Sequence, residues 1–302
     1  MTPRQFIPAL LVPAAVVLMA GCAPAAPAGS DTPVAVRFAA RVGQAPFQCG
    51  TSYDGIGSTH SRITPSDFRV YVSQVALIDE QGRAVPLRLD QDGRWQYRDV
   101  ALLDFENGTA SCRNGTPGMH ETITGSVPAG RYRGLQFTLG LPADLNHGDP
   151  TTAQPPLNLT ALFWSWQAGY KFVKVDMATS GQPQGGTVPA GGRQRRAAGF
   201  PIHLGSTECV SPSATTAPSV CHRPNLVTVR FDGFDPATQQ VEMDLAALLR
   251  ETDLDVNAPD TAPGCMAAPD DADCRRVLPA FGLPYGNEPV QPQRFFRVAA
   301  RP

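Results

Sequence analysis

Two of the five histidines in this chain flank its most aromatic stretch, an arrangement that could hold a metal ion. His147 lies in a polar turn, 145–150, directly after an apolar segment that reads as a strand. His203 lies on an otherwise apolar segment, 200–209. A single histidine at either place would more often make a structural hydrogen bond. Two imidazoles on either side of one segment favour a ligand role, because neutral imidazole is the commonest protein ligand for metals.

The aromatic stretch between the two histidines is 163–172, with the sequence FWSWQAGYKF. Side chains alternate between the two faces of an extended chain, so Trp164 and Trp166 would project from the same face. Tryptophans spaced in this way ordinarily belong to a core or form a platform on which a sugar ring stacks.

Composition and motifs exclude several functional classes. The chain lacks the GxSxG elbow, HExxH, the phosphate-binding loop, the dinucleotide fingerprint and the CxxCH haem site, so we expect it not to be an enzyme. Its 25 Lys plus Arg against 27 Asp plus Glu give a net charge of −2, without the basic stripe that nucleic acid needs. Asp253, Asp255 and Asn257 suggest a calcium loop only superficially, because Ala258 and Gly264 replace the Gly and Glu of an EF-hand.

Four segments together resemble a known family. They are 145–147 (LNH), 163–172 with its WxW, 203–209 (HLGSTEC) and 263–266 (PGCM). In combination they resemble the MbnP-like family of exported copper proteins, also called the metallo-mystery-pair four-Cys proteins with a WxW motif. The matching motifs lie between Phe47 and Leu283, so the resemblance covers most of the mature chain.

The resemblance implies a copper site that is matured by a partner. In such proteins one tryptophan is oxidised to kynurenine by a MauG-like dihaem c-type cytochrome, of the MbnH-like kind, encoded beside them. An indole nitrogen is a poor ligand because its lone pair belongs to the aromatic system. Ring opening yields an aryl amine that can bind copper beside imidazoles. The implied role is copper acquisition, storage or delivery, without catalytic turnover.

Carried over residue by residue, the resemblance makes His147 and His203 the leading copper ligands and Trp164 or Trp166 the modified residue. Met266 is a further candidate ligand whose soft thioether would favour Cu(I), although a methionine beside a bridged cysteine more often packs. Three neighbouring residues could orient an imidazole or the modified ring: Asn146, Gln167 and Lys171.

Two other interpretations stay open. In the first, a surface-anchored β-sandwich lipoprotein binds carbohydrate or another protein through exposed Trp164 and Trp166, without metal and without dependence on His147 or His203. In the second, the tryptophans and histidines only complete a Pro-rich core. Loss of copper binding on replacing both histidines would separate these interpretations from the copper site.

The elements that position these residues are predicted to be β-strands. Because 30 Pro and 28 Gly interrupt almost every long stretch, all-α classes are excluded. We expect an all-β fold, a single large antiparallel sandwich or barrel-like domain with long loops and at most one or two short helices. One of these helices is expected at 244–250, although 241–245 could equally extend as strand. The stretch 179–198 reads as a long loop. The clearest predicted strands are 34–40, 68–78, 85–89, 95–105, 132–139, 170–177, 226–231 and 294–298.

The N-terminus predicts export. Arg4 and the apolar run 6–19 form a secretory signal that ends in small residues before Cys22, in the manner of a bacterial lipobox. We expect a signal peptide at 1–21, a lipid-anchored linker at 22–32 and the copper-binding domain at 33–302. An ordinary cleaved signal is the alternative. Since no aspartate follows Cys22, the predicted location is the periplasmic face of the outer membrane, with contact to the membrane through the lipid only.

Without Cys22, the chain has an even set of six cysteines, which in an oxidising compartment predicts three disulfides. Fifteen pairings are possible in principle. Short loops favour Cys209 with Cys221 and Cys265 with Cys274. That choice leaves Cys49 with Cys112.

Overall fold

The computed structural model describes residue 1 and residues 30–165, 167–180, 199–213, 216–259 and 261–302. The predicted signal segment beyond residue 1, Cys22, Trp166 and most of the predicted loop 179–198 lie outside these residues. The predicted domain boundaries at the N-terminus therefore stay predictions.

The described residues form two large β-sheets, two small hairpins and three short α-helices. The first sheet contains β1 (Thr32–Val42), β2 (Ala45–Pro46), β6 (Arg88–Leu89), β9 (Thr122–Val127), β18 (Gln239–Asp244) and β19 (Phe296–Ala300). The second contains β3 (Tyr53–Ile56), β4 (Ser61–Asp79), β5 (Ala84–Pro86), β7 (Gln96–Tyr97), β8 (Val100–Asp104), β10 (Tyr132–Leu139), β13 (Val173–Thr179), β14 (Ile202–Leu204) and β17 (Val227–Phe231).

The small hairpins carry the residues of interest. They are β11 (Phe163–Ser165) with β12 (Gly169–Tyr170), and β15 (Thr207–Val210) with β16 (Val220–Arg223). The α-helices are α1 (Ala143–Asn146), α2 (Leu245–Leu249) and α3 (Val277–Phe281), and short 3-10 turns lie at Ala110–Cys112, Thr160–Leu162 and Ala272–Arg275.

The long strand β4 organises the second sheet. It spans 19 residues and pairs antiparallel with β3, β5, β8, β10 and β13. A register shift beside Pro65 accommodates the proline, which has no N–H to donate to the neighbouring strand. This strand brings β13, and through it β14 with His203, to one edge of the sheet.

The core lies between the two sheets. Phe137 on β10 contacts Phe38 on β1 with ring centroids 5.5 Å apart and Phe296 on β19 at 5.1 Å, and all three side chains are buried. A second, smaller apolar cluster surrounds Tyr71 and Tyr170, beneath the β11–β12 hairpin. The molecule is therefore a sandwich of open sheets rather than a barrel.

One pairing departs from the antiparallel expectation. β1 pairs parallel with β18, Phe38 opposite Val241, and β19 then adds antiparallel at the outer edge. The chain after β18 turns into α2, where the Asp244 carboxylate accepts hydrogen bonds from the first amide groups of the helix.

The all-β class with three disulfides is confirmed. The bridges join Cys49 to Cys112, Cys209 to Cys221 and Cys265 to Cys274, the pairing that the loop lengths favour. The predicted helix at 244–250 is α2. The expected number of helices was too low, because α1 and α3 are single short turns of helix that carry no long apolar periodicity. No helix among the described residues is long and apolar enough to span a membrane.

Candidate metal centre

His203 lies on β14 and is held by charged residues of the neighbouring strand. Its Nε2 is 2.6 Å from Oδ1 of Asp176 on β13. The other oxygen of Asp176 accepts a hydrogen bond from Lys174 Nζ at 2.5 Å, and Lys174 also contacts Asp67. Cross-strand register explains this arrangement, because Lys174 pairs directly with His203 and Asp176 follows two residues later on the same face.

The environment keeps the His203 imidazole neutral. Burial lowers the pKa of His203, and this effect outweighs the opposing influence of the Asp176 carboxylate. Burial by itself would raise the pKa of Asp176, but the hydrogen bond from His203 and the charge of Lys174 hold it well below its usual range. A neutral imidazole with one nitrogen fixed by a carboxylate is the form in which histidine binds metals.

Trp164 lies close to His203. Its ring centroid is 6.5 Å from that of His203, with the ring planes inclined at 52°. The indole covers Gly205, where an added Cβ would come within 2.5 Å of Cζ3 of the ring. Trp164 is half-buried and packs against the main core. Glycine at position 205 therefore allows the indole to lie directly on the chain that leads away from His203.

His147 follows α1 and is buried, with 7% of its surface exposed. Its Nε2 is 3.2 Å from the Asn146 side-chain nitrogen and 3.4 Å from Cys221 Sγ. A cavity of about 430 Å³ opens beside it, lined also by Ser206, Val220 and Leu226. The imidazole is thus covered by protein except where it lines the cavity, through which an ion could approach it.

Asn146 connects the two histidine-bearing segments to the aromatic hairpin. Its side-chain nitrogen donates to Ser206 Oγ at 3.1 Å, and its oxygen accepts from the Tyr170 amide at 3.0 Å. Ser206 is three residues beyond His203 on the same segment. His203 and Trp164 therefore lie on the segment 203–206, and His147 is linked to it through its neighbour Asn146.

The structure does not gather these residues into a ready coordination sphere. Within the described ranges, the single cluster of three His, Cys, Asp or Glu ligand atoms comprises His147, Cys209 and Cys221, and the two cysteines are bridged. His203 does not belong to that cluster, and its nearest described ligand atom is on Asp176.

The remaining predicted residues have different surroundings. The chain beside Met266 is tied to His203, whose amide donates to the Cys265 carbonyl at 2.9 Å, while the Met266 amide donates to Asp271. Lys171 Nζ donates to the Ala161 carbonyl at 3.1 Å, and Gln167 is exposed. Trp166 lies outside the described residues.

Sequence reasoning missed Asp176, Lys174 and Ser206. The alternation of 173–177 (VKVDM) places Lys174 and Asp176 on one face of a strand, and this pattern is visible in the sequence. Their approach to His203 depends on the register between β13 and β14, which the pattern does not reveal.

Comparison with known proteins agrees with this architecture. The MbnP family model matches residues 31–267. No curated protein matches the chain. Among solved structures, MbnP from Methylosinus trichosporium is similar, with a TM-score of 0.76 and 33% sequence identity over 90% of this chain and 99% of the other. The chain therefore belongs to the MbnP family.

Proposed function

We propose that this member of the MbnP family is a copper-binding protein whose site combines His147 and His203 with an oxidised tryptophan. The observation that carries the proposal is the position of Trp164, whose ring covers Gly205, between His203 and Ser206, the residue that Asn146 beside His147 contacts. Family membership supports it.

The donor set fits copper. Imidazole nitrogen binds copper in either oxidation state, and a thioether such as that of Met266 adds preference for Cu(I). Asp176 would hold Nε2 of His203, which leaves Nδ1 of that ring for the metal. His147 would bind through Nε2, in place of its hydrogen bond with Asn146.

The tryptophan must be altered before it can serve as a ligand. Conversion to kynurenine would oxidise and open the indole ring: the electrons pass to the oxidant, water supplies the added oxygen, the lost ring carbon leaves as formate, and an aryl amine is exposed. We favour Trp164 over Trp166 as the modified residue because the Trp164 ring lies beside His203. The oxidant in our proposal is a MauG-like dihaem c-type cytochrome, which would withdraw electrons from the half-buried indole at the surface of the β11–β12 hairpin.

The predicted N-terminus supports a location for the protein. We infer export, lipid attachment at Cys22 and residence at the periplasmic face of the outer membrane. Without turnover of its own, the protein would acquire, store or deliver copper. A C22S variant would move from the membrane fraction to the soluble fraction if this anchor exists, and an unchanged distribution would contradict it.

The alternative of a tryptophan platform for carbohydrate or protein has less support. A stacking platform presents the flat face of an indole to solvent, whereas Trp164 packs against the main core and over Gly205.

The test compares the protein from cells with and without the cytochrome. Tandem mass spectrometry of the peptide containing Trp164 and Trp166 should show the loss of carbon and gain of oxygen at Trp164 only with the cytochrome. Stoichiometric copper binding should then be lost in H147A/H203A and kept in H222A, since His222 is exposed. Unmodified tryptophans in both samples, or copper binding that survives H147A/H203A, would overturn the proposal.

A further inference from the structure

We propose that the β15–β16 hairpin carries a second metal site, formed by His147, Cys209 and Cys221 when the Cys209–Cys221 disulfide is reduced. The site would bind the soft cation Cu(I). The site shares His147 with the proposed copper centre but needs neither His203 nor a modified tryptophan.

The three ligand atoms already converge. Cys209 and Cys221 are directly opposite each other on the two strands, so both sulfurs project from one face of the hairpin. His147 approaches this face, with Nε2 3.4 Å from Cys221 Sγ. All three ligand atoms lie within 4.8 Å of one another. This spacing suits three ligands around one ion, because metal–ligand bonds to nitrogen and sulfur are about 2.0–2.3 Å long.

The hairpin does not depend on the disulfide for its position. Its strands also pair at Thr207 with Arg223 and at Val210 with Val220. Its base is fixed by the Asn225 side chain, which donates to the Gly205 carbonyl at 2.8 Å. After reduction, these backbone and side-chain contacts would keep both thiols facing His147.

Exposure makes this bridge the one that a reductant reaches first. Cys209 and Cys221 are both partly exposed. In each of the other two bridges at least one cysteine is buried, namely Cys112, Cys265 and Cys274, whose exposed fractions are 0%, 1% and 0%. Accessible disulfides exchange with external thiols more readily than enclosed ones.

The chemistry balances with a dithiol as the reductant. The dithiol gives two electrons and two protons to the S–S bond and itself becomes a disulfide, while Cys209 and Cys221 become thiols. Binding of Cu(I) then releases both thiol protons to solvent, and the two thiolates and the neutral imidazole coordinate the ion. Thiolates select Cu(I), and three ligands satisfy it, whereas structural zinc sites use four.

The cavity beside His147 supplies an entry path. It is lined by both His147 and Cys221, together with Pro218, Val220 and Leu226. An ion carried to the surface by a small chelator can therefore reach the site without opening the core.

The test uses the full chain with H203A, made without the cytochrome, so that the copper centre of the proposed function is disabled. One sample stays oxidised, and a second is treated with dithiothreitol under anaerobic conditions and freed of it. Titration should find two more thiols in the reduced sample than in the oxidised one. Cu(I) is then offered as its bicinchoninate complex. Only the reduced protein should remove one equivalent, and X-ray absorption should show sulfur bound to copper.

Added substitutions test the ligands. C209S/C221S should abolish the copper retained by reduced H203A, and H147A should weaken it at least tenfold, whereas H222A should leave it unchanged. Equal retention by oxidised and reduced H203A, absence of sulfur around copper, or full affinity in H147A would overturn the inference. The X-ray absorption of H203A itself decides the matter even where a further substitution fails to fold. Oxidised wild-type protein made with the cytochrome tests the proposed function separately.

Discussion

Gly205 is the residue on which the placement of Trp164 depends. A Cβ at this position would meet Cζ3 of Trp164 at 2.5 Å and the Tyr170 carbonyl at 2.6 Å. The second contact is with a backbone atom, which could move only if the chain around Tyr170 were displaced. The close approach of the indole to the His203 segment therefore requires glycine.

We expect G205A to displace the Trp164 ring and to lower the free energy of unfolding by about 1–3 kcal/mol, the usual cost of overpacking. Urea unfolding and tryptophan fluorescence measure the two effects. G233A is the matched control, because an added Cβ there meets nothing within 4 Å. Equal stability of the two variants would contradict the packing described for Trp164.

Asp176 is expected to orient His203 for copper. We expect D176N to weaken copper affinity about 10-fold to 100-fold, the usual loss when the partner of a metal-bound histidine is altered. A competition titration with a chromophoric Cu(I) chelator measures it in protein matured with the cytochrome. D232N is the control, since Asp232 is exposed and pairs only with Arg230 among the described contacts. Unchanged affinity in D176N would show that Asp176 does not position the ligand.

The residue types of the candidate site could be read from the sequence, but their contacts could not. His147, His203 and Trp164 were recognisable because each stands in an unusual local setting. Asp176 was not, because its contact with His203 is set by strand register. Met266 is a candidate for its chemistry. The chain beside it is tied to His203, whose amide donates a hydrogen bond to the Cys265 carbonyl, a long-range contact without a local signal.

At the scale of elements, β8 ends in a buried acidic group. Asp104 and Glu106 are fully buried, and both lie near Arg69, whose guanidinium also binds Asp67. The Thr116 hydroxyl donates to both carboxylates. Burial raises the pKa of Asp104 to about 7, with further repulsion from Glu106, against the attraction of Arg69. A carboxyl with a raised pKa binds its proton more tightly in the folded state than in the unfolded chain.

The free energy of unfolding should therefore fall as pH rises from 3.8 to about 7. The contribution of Asp104 is fully present below the ordinary value of 3.8 and is lost as pH rises to about 7. We expect D104N to flatten this slope and to raise the free energy of unfolding at pH 7 by on the order of a few kcal/mol.

Urea midpoints measured across this pH range for D104N and the parent check this expectation. Asp273, whose pKa burial raises to about 6, supplies a smaller slope of the same sign in both proteins. Parallel curves for D104N and the parent would show that Asp104 is not the group that holds the proton.

Local pattern predicted some strands better than others. β10 has the predicted bounds, because its alternation and its flanking turn are both local. β4 is longer than the predicted 68–78, since pairing with β3 and β13 extends it back through Pro65 to Ser61. β9 is not among the predicted strands, and β18 overlaps 241–245, for which strand is the alternative to helix. Their polar and small residues become strand through long-range pairing, of both with β1, of β9 with β6 and of β18 with β19.

At the scale of the whole molecule, Phe137 joins the two sheets. Its ring, fully buried, contacts Phe38 and Phe296 of the first sheet. We expect F137A to lower the free energy of unfolding by about 3–5 kcal/mol, since a large cavity would remain between the sheets. Chemical denaturation measures it, and V290A is the control because Val290 is 60% exposed. A loss no larger than that of V290A would contradict the described core.

The parallel pair β1–β18 has a consequence for how the chain acquires its structure. Phe38 and Val241 are neighbours in space but about 200 residues apart in sequence, and contacts of such separation slow folding because a long loop must close first. While synthesis or export proceeds, one edge of β1 can pair with β9, but the other edge waits for β18, to which β19 then adds. The first sheet therefore lacks its strands β18 and β19 until most of the chain has emerged. The exposed edge of β1 is the part of a nascent molecule on which a chaperone would act.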